Sequence, residues 1–122
     1  MSTDRAPAHL ADMLGFSEEL QSLVVGLSPT EFQSQRVLCL AVEKLFINLG
    51  EAAARMGDSN VQFPQIPWRQ IIGLRNILAH GYEQVAHEIL YQTIVQELPA
   101  LSESLRVALQ VRVHGSTVSG SL

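Results

Sequence analysis

Apolar residues return every three or four positions along nearly the whole chain, with no sustained alternation of apolar and polar residues. That rhythm constrains the fold more than any other feature, because it gathers side chains on one face of an α-helix and on neither face of a strand. Leu10, Met13, Leu14, Leu20, Leu23, Val24 and Leu27 mark a first helix over roughly residues 8–27. In "SPTEF", Ser28 suits the N-cap, Pro29 the first helical position, and Glu31 falls three residues after the cap. This capping-box signature predicts a short helix that feeds a long one. Leu38, Ala41, Val42, Leu45, Leu49, Ala52, Ala53 and Met56 outline that second long helix, about 36–56, which Gly57-Asp58-Ser59-Asn60 ends. "VQFPQIP" holds two prolines and reads as a loop pinned by Phe63 and Ile66. A third helix begins at Pro67 and ends near His80, since Gly81 suits a left-handed cap. The fourth runs from about Val85, with Ile89, Leu90, Thr93, Ile94 and Leu98 inward. Pro99 either kinks it or opens a new segment through Leu101, Leu105 and Leu109. The expected fold class is all-α, a bundle of four to five helices over residues 8–112, with a flexible 1–7 and a disordered tail at 113–122.

Composition removes several classes of function. With 47% hydrophobic and 16% charged residues the chain suits a globular fold rather than a disordered one. No apolar run approaches the roughly 20 residues of a membrane span, so no membrane partner is expected. The N-terminal "MSTDRAPAHLADM" lacks the apolar stretch of a signal peptide. A single cysteine, Cys39, excludes an internal disulfide and fits a reducing, cytoplasmic setting; it reads as a buried inert thiol. Eight Lys and Arg against twelve Asp and Glu leave a net charge of −4 and no basic stripe. That argues against coating long nucleic acid, but leaves room for a small site holding one or two phosphates. No cluster has metal-ligand spacing and no glycine-rich phosphate loop is present, so neither metal nor cofactor is expected.

Chemistry concentrates in "IIGLRNILAHGYEQ", residues 71–84, where Arg75, His80 and Tyr82 stand in or beside an apolar run. Arg75 and His80 are five residues apart, about 140° around a helix, so one helix presents the pair poorly to one small substrate. Either the helix frays after Ala79, or a second copy of the chain supplies the complementary half around a two-fold axis. Arg75 offers a planar fork to phosphate oxygens, and His80 exchanges protons near neutrality. Two such histidines could cleave a phosphodiester without metal, one as base toward a ribose 2′-hydroxyl and one as acid toward the leaving oxygen. A structural account stands beside this one. In it Arg75 pairs with Glu51 or Glu43, His80 caps its helix, and Tyr82 packs half-buried. His9, His87 and His114 read as solvent-side or terminal residues, and Trp68 as a core or dimer-interface residue.

"NLGEAAARM", then "FPQIPWRQIIGLRNILAHGY", then "ILYQTIVQELPALSESL" resemble the HepT-like branch of the HEPN superfamily of small helical bundles. The resemblance covers roughly residues 8–110, and the family motif R-x(4)-H-x-Y falls on Arg75, His80 and Tyr82 without gaps. It implies a homodimer built around the motif helix, acting as a metal-independent endoribonuclease toxin on RNA rather than DNA. Arg75 would hold the scissile phosphate and His80 would be the acid/base residue. Asn76 and Glu51 would orient that pair or bind RNA. The partner implied is an MntA-like nucleotidyltransferase antitoxin that adenylylates Tyr82. A second reading is a non-catalytic, nucleotide-binding adaptor subunit of a nucleotidyltransferase complex.

Overall fold

The computed structural model describes residues 4–81 and 85–121, with side chains as far as Val111 in the last helix. Among them every regular element is a helix, with no strand. Helix α1 spans Ala6–Val24, α2 Pro29–Gln33, α3 Arg36–Arg55, α4 Trp68–His80, α5 His87–Gln96 and α6 Leu98–Ser121, with a 3-10 segment at Gly57–Gln62. Helices α1, α3 and α6 form the heart of the bundle, with α1 packed on both of the others. Its core joins Leu10, Met13 and Leu20 to Val42, Phe46, Leu49 and Leu105, all almost wholly removed from solvent. Burying one such side chain is worth about 1.5–3 kcal/mol. Two polar groups are buried with them. Ser17 and Ser102 share a hydrogen bond of 2.8 Å between their hydroxyls, and Gln21 Nε2 donates to the Ser102 hydroxyl at 2.8 Å. This ties α1 to α6 without leaving either hydroxyl unpaired, as a buried polar group requires.

Local signals set the ends of the elements. The Ser28 hydroxyl accepts from the Glu31 backbone N–H, and the Glu31 carboxylate accepts from the Ser28 N–H, so the capping box closes as expected. Hydrogen bonding to the carboxylate from the Ser28 backbone N–H, and secondarily from the Ser28 side chain, favours its charged form and holds the Glu31 carboxyl below its ordinary value. Gly81 ends α4 with φ of 67°, the left-handed conformation that glycine adopts without strain. Pro99 falls in the first turn of α6, so it opens a new segment and does not kink an old one.

Two expectations are modified. The segment after Gly57 is a 3-10 helix before the loop, not loop throughout; its Phe63 and Ile66 are buried as anchors. Ile89 faces outward at 57% exposure, whereas Leu90 and Ile94 are buried. Tyr91 sets that choice: its hydroxyl donates to the Leu27 carbonyl and its ring packs 5.8 Å from Phe32, turning α5 toward α2. Helix α6 continues through Ser121.

Candidate active site

Helix α4 carries the motif, and it is built unlike the rest. Its main neighbour is α3, and none of its thirteen residues is fully buried. Ile71, Ile72, Leu74 and Leu78 are half-buried against the core, while Ile77 stays 38% exposed. Its start is fixed by Trp68, whose indole N–H donates to the Phe63 carbonyl at 2.9 Å.

Arg75 lies on the α3 side of α4 and is half-buried. Gly50 of α3 makes that position possible. A β-carbon added at Gly50 would stand 2.2 Å from Arg75 Cβ and 3.1 Å from the Ile71 carbonyl oxygen, so only glycine lets the two helices meet there. The guanidinium is drawn into this contact far enough that its Nε is buried with no hydrogen-bond partner. Among the described residues no carboxylate pairs with Arg75. Glu51 sits 4.0 Å from Arg55, and Glu43 is taken by His87. The structural account of Arg75 as an ion-pair residue on Glu51 or Glu43 therefore fails within one chain.

His80 is the last residue of α4 and is exposed, as are Asn76, Ala79 and Gly81. The arginine is thus turned to α3 and the histidine to solvent, as their five-residue spacing requires. Tyr82 lies outside the described residues. Among the described residues no group of acidic, histidine or cysteine side chains could hold a metal. Cys39 is buried with its thiol donating to the Phe32 carbonyl at 3.4 Å, and burial together with the Glu43 charge pushes its pKa up, so it is no nucleophile.

Two features escaped the sequence. Gly50 has a signal in retrospect, since a glycine inside a helix pattern points to close packing. His87 has none: its partner is 44 residues away, with Nε2 2.6 Å from Glu43 Oε2. It is half-buried, not a plain solvent-side residue. The pair lies on a groove of about 560 Å³ that Arg36, Leu40, Leu78 and Gly81 also line.

Comparison with known proteins points to one family. The chain is 26% identical over 108 residues to Putative RNase MJ1380 of Methanocaldococcus jannaschii, covering 88% of this chain and 99% of that protein. It is 30% identical over 103 residues to Putative RNase TTE0752 of Caldanaerobacter subterraneus, covering 84% and 92%. Probable ribonuclease HepT of Thermococcus cleftensis is 26% identical over 94 residues, covering 76% and 86%. No solved structure gives a significant match. Residues 13–108, most of the bundle and all of α4, match the family described as Ribonuclease HepT-like, and the chain belongs to that family.

Proposed function

We propose that this protein is a metal-independent endoribonuclease whose site forms where two copies of α4 meet, and that it serves as the toxin of a toxin–antitoxin pair. The observation that carries the reading is Arg75: a guanidinium held at a close helix contact, with a buried unpartnered Nε and no carboxylate partner among the described residues. A structural arginine would be paired, because an unpaired buried donor costs about 1–3 kcal/mol. A phosphate oxygen is the partner that its fork suits.

In this reading Arg75 binds the scissile phosphate and offsets the charge that builds on its oxygens. His80 of one subunit takes the proton from the ribose 2′-hydroxyl, and that oxygen attacks the neighbouring phosphorus. The bond from phosphorus to the 5′-oxygen breaks, and His80 of the partner subunit protonates the departing oxygen. The products are a 2′,3′-cyclic phosphate and a 5′-hydroxyl. Asn76 orients the pair or contacts the strand, and Glu51, engaged by Arg55 in its own chain, reaches the pair or the strand only across the dimer. The exposed Ile77, beside His80 on α4, supplies apolar surface for the second copy. An MntA-like nucleotidyltransferase antitoxin would silence the site by adding adenylate to Tyr82.

Purified protein should cut single-stranded RNA with EDTA present, and His80→Ala should lower the rate by about 10²–10⁴-fold. Cleavage by that variant at the parent rate would overturn the assignment. Co-expression with an MntA-like nucleotidyltransferase should add adenylate mass to a peptide containing Tyr82; an unchanged mass would remove the regulatory part alone.

A further inference from the structure

Arg36, Glu43 and His87 take no part in the cleavage just described, yet they meet beside it. All three line the groove of about 560 Å³, a size within the roughly 300–1,000 Å³ of sites for small ligands. Gly81, directly after His80 in the chain, lines the same groove. A strand whose scissile phosphate sits at His80 therefore has the groove next to it.

The polar groups there are held in different ways. Arg36 is exposed at the start of α3 and makes no ion pair or side-chain hydrogen bond among the described residues. Its five donors are available to phosphate oxygens. His87, in contrast, is fixed on two sides. Glu43 holds Nε2 at 2.6 Å, and the ring stands edge-on to Phe32 with centroids 6.5 Å apart. A ring so held keeps Nδ1 as its second hydrogen-bonding atom, an acceptor when Nε2–H donates to the carboxylate. Leu40 and Leu78 add apolar wall on α3 and α4. An exposed cation, an oriented imidazole and an apolar wall match the phosphate, the base edge and the base face of one nucleotide.

We propose that this groove is a nucleotide subsite. It holds the RNA nucleotide adjoining the scissile phosphate, with Arg36 on that nucleotide's own phosphate and His87 hydrogen-bonded to its base between Leu40 and Leu78. The inference rests on the ribonuclease reading and adds to it a place where the strand is gripped and one base is sampled.

The test is binding of a short single-stranded oligoribonucleotide, in the His80→Ala background, at several salt concentrations. Adding Arg36→Ala should weaken binding about tenfold, the value of one charge-assisted hydrogen bond. It should also lower the slope of log affinity against log salt by about 0.7, since one phosphate fewer is neutralised on a single strand. His87→Gln can keep a hydrogen bond to Glu43 and should keep the parent's thermal midpoint. It should weaken binding several-fold with the slope unchanged, because the base that His87 touches carries no charge. Arg69→Ala, an exposed cation at the far end of α4, is the control. Arg36→Ala indistinguishable from Arg69→Ala, or both groove variants binding as the parent does, would overturn the subsite. If the unaltered protein meanwhile cuts RNA in EDTA, only the subsite falls; if it neither cuts nor binds RNA, the ribonuclease reading falls with it.

Discussion

Helices α1 and α4 are both amphipathic, yet they meet their neighbours on different terms. In α1, six residues are fully buried, among them Leu10, Met13 and Leu20 at 0% exposure, and even its buried hydroxyl at Ser17 is paired. In α4 no residue is fully buried, and its closest approach to α3 is made by a charged side chain resting on a glycine. The contrast sets the helix that holds the bundle together apart from the helix that carries the proposed chemistry. The first helix is secured by apolar area on every turn, and the motif helix by one close contact and a half-covered apolar stripe.

That contrast can be broken most forcefully from the core side. Leu20→Ala should cost about 2–5 kcal/mol, as for other fully buried leucines, seen as a lower denaturation midpoint. A cost below about 1 kcal/mol would mean that α1 is held no better than α4. Gly50→Ala comes next. The added methyl gains up to about 1 kcal/mol of helix propensity, but overpacking at 2.2 Å from Arg75 Cβ costs about 1–3 kcal/mol and pushes α4 outward. Stability should fall, and RNA cleavage should fall further than stability explains. Gly15→Ala in α1, where nothing lies within 4 Å of the new methyl, should instead raise stability by about 0.5–1 kcal/mol. If both glycines respond alike, the close contact is not what holds α4.

Ile77→Ser gives a smaller but sharper reading. At 38% exposure it should change the unfolding free energy of a single chain by less than about 0.5 kcal/mol. If α4 meets a second copy, sedimentation should nonetheless shift toward one chain at the same protein concentration. The least effect belongs to the capping box. The Glu31 carboxyl has a lowered pKa in the fold, so its contribution is present above about pH 4.5 and is lost as the pH falls further. Glu31→Gln should flatten that acid limb of the stability curve slightly and leave the neutral range nearly unchanged.

How much of this was legible in the sequence follows from distance along the chain. The capping box spans three residues and the cap at Gly81 one, so sequence alone placed α2 and the end of α4. The long run of α3 was equally plain. What sequence could not place was decided by remote partners. Ser17 is a polar residue in register on an apolar face, and Ser102, 85 residues on, is what satisfies it. Ile89 and Leu90 are equally apolar, and the contacts of Tyr91 with Leu27 and Phe32 choose between them. At the candidate site, sequence supplied Arg75 and His80 and the reason that one helix separates them. It offered Glu43 and Glu51 as partners of Arg75, and both are engaged elsewhere. Gly50 beneath the arginine and the His87–Glu43 pair beyond the histidine both depend on packing between helices, which no short stretch of sequence spells out.

Gly50 also bears on how such chains are sorted by eye. The arginine of the motif owes its place to an atom missing from another helix, 25 positions earlier. On the reading proposed above, a sibling sequence that keeps Arg75, His80 and Tyr82 letter for letter but carries an alanine at position 50 would seat its arginine differently. Motif spelling alone then does not sort active copies from inactive ones; position 50 has to be read with it.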